Sequence, residues 1–238
     1  MNQLHYPGQE LDLFAHAHNW KQYWVSKIRP FIRGDVLEVG AGLGVNTPLL
    51  EPHKARSWTA MEPDPELAVR LTKSLNSNPI SQECKVLTGT TSSLEPYAQF
   101  DCALYIDVLE HIEEDKTEIA QVANLIRPGG RIIVLSPAHQ LLYTPFDKSI
   151  GHFRRYNRAS LLRCTPPGFE VESVFFLDSV GMLASLANKV MLQQSMPKLN
   201  QLRIWDRFLV PTSTILDRLL LHKVGKSVVA IWRRVGAS

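Results

Sequence analysis

The sequence predicts an α/β fold: a doubly wound, mostly parallel sheet with an N-terminal helix and a helical insertion before the last strand. Three observations predict it. From Asp35 onward, short β-rich runs alternate with segments of helical periodicity, as in a parallel sheet covered by helices on both faces. The runs are apolar at almost every position, which suits strands buried on both sides. The first run also leads directly into a glycine-rich turn, Gly40-Ala-Gly42-Leu-Gly44, with a helical segment just beyond.

The elements follow in order. Residues 1–34 read as a helical cap, whose segment Phe14–Phe31 (FAHAHNWKQYWVSKIRPF) carries Trp20, Tyr23, Trp24 and Phe31 for packing on the sheet. Residues 35–177 read as the core, with strands at Asp35–Val39, Ser57–Met61, Lys85–Leu87, Cys102–Ile106, Arg131–Leu135 and Phe169–Leu177. Thr47-Pro48 and Asp64-Pro65 each place a capping side chain before a proline suited to a first helical turn. In Glu114–Ile126, the residues Ile119, Val122, Ala123 and Ile126 recur at helical spacing, and Arg127-Pro128-Gly129-Gly130 is the expected stop. Ser160 or Asn157 is the expected cap of a helix that follows. Residues 178–226 show helical patterning around Met182–Leu192 and Ile204–Leu221, far longer than a hairpin connection needs. They are expected to cover a substrate or to form an oligomer surface, as a monomer or a homodimer. Ser227–Arg234 (SVVAIWRR) gives a seventh strand in a terminal unit, 227–238.

Composition narrows the function classes. A chain of 238 residues, 45% hydrophobic and 21% charged, is ordinary for a soluble globular protein. The net charge of +3 tolerates an anionic substrate or peripheral contact with a membrane but does not demand nucleic acid. No apolar run approaches the ~18–20 residues of a membrane span. Cys84, Cys102 and Cys164 are odd in number and lack metal-like spacing, which fits a reducing compartment. With no charged-then-apolar design in MNQLHYPGQEL, the chain reads as cytoplasmic.

The spacing of the glycine turn carries more. A dinucleotide fingerprint is GxGxxG, but position 45 is Val, so the third glycine arrives one residue early and the pattern is Glu38-x-Gly40-x-Gly42-x-Gly44. Glu62 directly follows the second strand, where a carboxylate can accept bonds from ribose hydroxyls. Phe100-Asp101 leads through the fourth strand to Asp107-Val108-Leu109-Glu110-His111-Ile112, and Leu125–Gly130 ends in Pro-Gly-Gly. Taken in this order, these segments resemble the class I S-adenosylmethionine-dependent methyltransferases, over residues 35–136. The resemblance implies a seven-stranded, Rossmann-like methyltransferase sheet, with S-adenosylmethionine as cofactor and S-adenosylhomocysteine as product. It implies a cofactor site drawn from Glu38, Gly40, Ala41, Gly42, Gly44, Glu62, Pro63, Gly89, Thr90, Thr91, Ile106, Asp107, Val108 and His111. The leading helix would fold over the cofactor, so Tyr23 would line the methionine or substrate side. One departure is that the run Gly89-Thr90-Thr91-Ser92 lacks the acid that often meets the adenine amino group, leaving that contact to a hydroxyl such as Thr90 or to backbone.

Methyl transfer from a sulfonium is an in-line displacement in which the protein mainly aligns the reactants. A base is needed only when the acceptor keeps its proton near neutral pH. The candidates are Asp107, His139 and His152, on or after strands whose carboxyl ends line the ligand crevice of a doubly wound sheet. His111 reads equally as a structural histidine. Asp107-x-x-Glu110-His111 has a metal-like spacing, but no outside ligand is identifiable in the sequence and no metal is assigned.

Phe146–Leu161, which includes Ser149–Leu161 (SIGHFRRYNRASL), resembles a run in a methyltransferase subgroup with a long helical C-terminal part. It reads as a lid in which His152, Arg154, Arg155 and Tyr156, with Tyr143 nearby, hold an acidic or hydroxylated substrate. The same cations suit pinning the loop to acids on the domain surface. The function expected is therefore methylation of a small molecule, with oxygen as acceptor and a specialised metabolite or glycan as substrate. The alternatives are an RNA- or protein-directed methyltransferase, which the basic stretch motivates, and a catalytically silent binding protein with the same fold.

Overall fold

The computed structural model describes residues 9–51, 54–80, 83–191 and 199–236. Two helices, α1 (Gln9–Phe14) and α2 (His18–Ile28), lead into β1 (Gly34–Val39). Then come α3 (Thr47–Leu50), β2 (Ala55–Glu62), α4 (Pro65–Ser77), β3 (Glu83–Thr88), β4 (Phe100–Ile106), α5 (Asp115–Asn124) and β5 (Ile126–Pro137). A loop carrying α6 (Pro145–Ser149) and α7 (Arg158–Leu162) reaches β6 (Phe169–Leu177). Helices α8 (Ser179–Met191), α9 (Leu199–Ile204) and α10 (Val210–Leu219) separate β6 from β7 (Ser227–Arg234).

The strands form one sheet in the order β3-β2-β1-β4-β5-β7-β6. β7 runs antiparallel to both β5 and β6, and the β1–β5 pairs are parallel. The chain winds one way from β1 to β3 and the other way from β4 onward, so the order reverses between β1 and β4. The crevice at the carboxyl ends of those two strands is where such sheets bind ligands.

Burial on both faces follows from the alternation within each strand. Val36 of β1 joins Trp58, Ala60, Leu71 and Ile28 on one side, and Leu37 and Val39 join Met61, Ala103, Tyr105 and Ile119 on the other. Trp20, Tyr23 and Trp24 of α2 are all buried in the first layer, as aromatics on a leading helix were expected to be.

Four local expectations change. The leading helix is broken into α1 and α2 rather than running through to Phe31. The helix α5 stops at Asn124, and Ile126 instead opens β5 by pairing with Phe100, because the Pro-Gly-Gly run is held in the sheet beside β4. Thr47 does not cap α3: it lies inside the helix, with its hydroxyl turned to Glu38 at 2.8 Å. The segment after Ile204 passes through a π-helical turn, Trp205–Leu209, before α10, which ends at Leu219. Asp64 caps α4 by accepting from Glu66 and Leu67 N–H, and Asn157 caps α7 through Ser160 N–H. Leu192, the expected end of the first insertion helix, lies outside the described residues.

The insertion is fastened to the leading helix by two buried carboxylates. Asp206, in the π-helical turn, accepts from the N–H groups of Asn19 and Trp20 at 3.2 and 2.9 Å, satisfying donors that the first turn of α2 leaves open. Asp217 of α10 accepts from Tyr23 Oη at 2.7 Å and from the N–H groups of Asp178 and Ser179 at the start of α8. Trp205 packs against Trp20 at 5.8 Å and donates its indole N–H to Asp178. No helix among the described residues is long and apolar enough to cross a membrane.

Candidate functional site

The glycine turn sits at the carboxyl end of β1 and is built from both sides. Gly40 has φ of +66°, and a Cβ there would lie 2.6 Å from Val108 Cγ2. Gly44 has φ of +71°, with Leu71 Cδ1 at 2.6 Å from the same virtual atom. Both positions therefore need glycine twice over, for conformation and for space. Ala41 N–H is bonded to the Met61 carbonyl, and Leu11 of α1 lies over Gly42.

Two acids frame the turn. Glu38 is 3% exposed, and its Oε2 accepts from Thr47 Oγ1 at 2.8 Å and Trp58 Nε1 at 2.9 Å. It was expected among the cofactor contacts. Its place beneath the turn makes it a support that ties β1, β2 and α3 together. Burial pushes its pKa up to about 7, although the two donors act the other way. Glu62, at the end of β2, accepts from Gly42 N–H at 2.8 Å and from Asp64 N–H at 3.1 Å. This fixes a carboxylate at the mouth of the turn, beside the half-buried Pro63. Burial again raises its pKa, against those backbone donors.

After β3, Gly89 N–H is held by the Glu62 carbonyl, and Thr90 is exposed with its hydroxyl 2.8 Å from Ser92 Oγ. Thr91 turns the other way: it is buried and donates to Glu118 at 2.8 Å, so its side chain braces α5 rather than facing the crevice.

The carboxyl ends of β4 and β5 hold two non-glycine residues in the left-handed region, Asp107 (φ +54°) and His139 (φ +64°). Such conformations cost free energy and cluster at functional sites. Asp107 follows the buried Ile106 and precedes the half-buried Val108. Its side chain is open to solvent yet crowded by protein, as at the floor of a cleft, and the crowding raises its pKa. The charges of His152, Lys226 and Lys21 pull the other way. Lys21 of α2 is 7% exposed, and burial lowers its pKa to about 8 against the pull of Asp206 and Asp107. Lys226, just before β7, is likewise lowered by burial, with Asp178, Asp107 and Asp147 opposing. Its ammonium lies 4.4 Å from the Trp205 ring centroid. His139 stacks on Phe176 at 5.2 Å and bonds the Gly225 backbone, and its Nε2 is buried without a hydrogen-bond partner.

The loop 149–161 is organised from within, around Asp147. That fully buried carboxylate accepts from Thr144 N–H and Oγ1, from Arg155 Nε and Nη2, and from His152 Nδ1 at 3.0 Å. His152 Nε2 points toward Glu110 Oε1, 3.9 Å away, so neither ring nitrogen faces the open cleft. That placement stands against the expectation of His152 as a base. Tyr156, expected on the substrate, is 1% exposed and donates to Asp115 at 2.7 Å. Arg154 pairs with Asp115 at 2.8 Å and bonds the Glu113 carbonyl. Tyr143 donates to the His152 carbonyl, and His111 meets the His152 ring edge-on at 4.5 Å. Tyr23 is likewise committed, to Asp217. These side chains therefore shape the site by holding its loops, and the chain's own acids account for the cations. Sequence reasoning missed Asp147, Lys21, Lys226 and Trp205. Asp147 stood in plain view in the resembling run, but nothing local distinguishes the two lysines.

Known proteins place this architecture. Residues 16–173 match the family model of the methyltransferase domain. No curated protein matches the sequence. Among solved structures, an S-adenosylmethionine-dependent methyltransferase from Clostridium acetobutylicum is 12% identical, covers 97% of this chain and 96% of its own, and has a TM-score of 0.57. Coclaurine N-methyltransferase bound to N-methylheliamine and S-adenosylhomocysteine is also 12% identical, covering 91% and 72% with a TM-score of 0.61. The [4+2]-cyclase SpnF is 16% identical over 97% and 95%, with a TM-score of 0.62. At these identities the structures establish the fold, and the family model extends over about two thirds of the chain. The glycine turn that only Cβ-free residues can fill, and the acid fixed at its mouth, fit the cofactor of that family. The chain belongs to the methyltransferase domain family, as a class I S-adenosylmethionine-dependent enzyme.

Proposed function

We propose that this methyltransferase acts on a small-molecule acceptor, at oxygen, with Asp107 as the general base. The observation that supports this most is the convergence on Asp107: Lys21 from the leading helix and Lys226 from the end of the insertion both reach it electrostatically. The rim of the crevice is thus roofed by elements that buried Asp206 and Asp217 tie to each other. A roofed rim favours a small acceptor over a folded macromolecule. The two ammonium groups beside it suit an acceptor that carries negative charge or hydroxyls.

S-adenosylmethionine, bound at the glycine turn, supplies the electrophilic methyl group. The chain's own residues supply the rest. The Gly40–Gly44 turn and Glu62 position the cofactor, and the roof excludes water. Asp107, whose pKa is raised and whose side chain stays open to the cleft, takes the proton from an acceptor hydroxyl. His139, the third base candidate, has a buried Nε2 and serves to hold the β5 end against Gly225.

The test is labelled methyl transfer into fractionated small metabolites, with RNA and protein fractions alongside, followed by mass identification of the product. Asp107→Asn is expected to lower turnover about 100-fold or more, while S-adenosylhomocysteine affinity changes less than about threefold. Label appearing only in RNA or protein overturns the small-molecule reading. Full turnover in Asp107→Asn overturns the base.

A further inference from the structure

Behind the rim lies a second cluster, which the methyl-transfer reading does not use. Glu110, His111 and His152 each offer one ligand atom, and these atoms all lie within 4.8 Å of one another. Glu110 is fully buried: Oε2 accepts from Ser136 Oγ at 2.9 Å, while Oε1 has no hydrogen-bond partner.

His152 faces that orphan oxygen. Its Nδ1 lies 3.0 Å from Asp147 Oδ1, and the hydrogen bonds of His152, Arg155 and Thr144 hold Asp147 well below the usual carboxylate range against its burial. An ionised carboxylate only accepts, so Nδ1 donates to Asp147 and Nε2 is the ring atom left toward Glu110. Nε2 lies 3.9 Å from Glu110 Oε1, too far for a hydrogen bond. The two atoms thus face each other in a buried space with no hydrogen bond between them. Arg155 gives Nε and Nη2 to Asp147, while its Nη1 is buried without a hydrogen-bond partner and its charge acts on Glu110 without a bond to it. His111 completes the group. Its ring meets that of His152 at 4.5 Å and bonds the Ile150 carbonyl.

We propose that Glu110 Oε1, His111 and His152 Nε2 form a binding site for a divalent transition-metal ion of the zinc type. Two imidazoles and one carboxylate are a zinc donor set, and three protein ligands leave a fourth position open. Bonds of about 2.1 Å put tetrahedral ligand atoms about 3.4 Å apart, so each side chain closes on an ion with less than about 1 Å of movement. Each ligand is already oriented from behind: His152 by Asp147, His111 by Ile150 and Glu110 by Ser136. The sequence offers Glu110 and His111 by their spacing but not the third ligand, which comes from a loop 41 residues beyond His111 and reaches it only through the fold.

The test uses the full chain, stripped with chelator and titrated with Zn²⁺, and with Co²⁺ as a spectroscopic probe. One ion per chain is expected, with visible d–d bands from Co²⁺ in an imidazole–carboxylate site. Glu110→Gln and His152→Ala are expected to weaken Zn²⁺ binding more than about 100-fold. Ser136→Ala, which removes only one outer hydrogen bond, is expected to weaken it about tenfold while keeping the fold. Exposed His18→Gln serves as the control and is expected to change nothing. Failure to bind one ion per chain overturns the site, leaving Glu110 simply protonated. Binding that survives both Glu110→Gln and Ser136→Ala also overturns it, by placing the ion elsewhere.

Discussion

Asp217→Asn tests how the insertion is fastened to the core. The carboxylate receives three donors: Tyr23 Oη at 2.7 Å and Asp178 N–H at 2.7 Å on Oδ2, and Ser179 N–H at 3.0 Å on Oδ1. An asparagine offers one oxygen and one NH₂, so at least one donor must face another donor. Hydrogen bonds to a charged acceptor are worth about 1.5–3 kcal/mol each, and a buried donor left unpaired costs about 1–3 kcal/mol. The expected loss is about 3 kcal/mol. For a chain of this size that lowers Tm by about 6–12 °C. Thermal and urea unfolding measure it, and a double-mutant cycle with Tyr23→Phe isolates the shared bond, with an expected coupling of about 1 kcal/mol. A Tm within about 1 °C of wild type, or additive effects of the two changes, would refute the claim that this carboxylate joins α2, α8 and α10.

Two further outcomes follow from the cofactor turn. Gly40→Ala introduces a Cβ 2.6 Å from Val108 Cγ2 at φ of +66°, and the left-handed backbone alone costs about 1–2 kcal/mol. Calorimetric titration should show S-adenosylhomocysteine binding at least about tenfold weaker, with partial recovery when Val108→Ala is added. No recovery would mean that the clash is not the cause. Glu38→Gln keeps an acceptor for Thr47 and Trp58 but removes a titration. Because burial raises the Glu38 pKa from 4.5 to about 7, the folded chain holds a proton that the unfolded chain releases between those values. Wild-type stability should therefore fall as pH rises through this window, by on the order of 3 kcal/mol. Urea melts at pH 5 and pH 8 should show a smaller fall in the glutamine variant than in wild type, the remainder coming from Glu62, Asp107 and Glu110. Parallel pH profiles would remove Glu38 as its source.

The fold was legible wherever the signal is local. Asp35–Val39 reads as a buried strand because its side chains must satisfy two apolar layers, and Asp64-Pro65 announces its helix through one side chain and one ring. Ile126 misled because its helical spacing is local, whereas its strand pairing with Phe100 comes from a partner 26 residues away. Thr47 misled for the same reason, since a buried carboxylate nine residues earlier claims its hydroxyl. The basic loop suffered most: Arg154, Arg155 and Tyr156 looked like ligand contacts, but Asp115 and Asp147 neutralise them at positions no spacing rule links.

The class of sheet, the glycine turn and the family are all legible along the chain. Periodicity, backbone conformation and short-range capping are properties of neighbouring residues, and those can be read along a chain. Which titratable groups act on one another emerges with the closed fold: Lys21 and Lys226 on Asp107, Asp217 with Tyr23, and His152 opposite Glu110. Electrostatic interaction depends on distance through space and on burial, and both are fixed only when the sheet, the loop beyond β5 and the insertion close on one another.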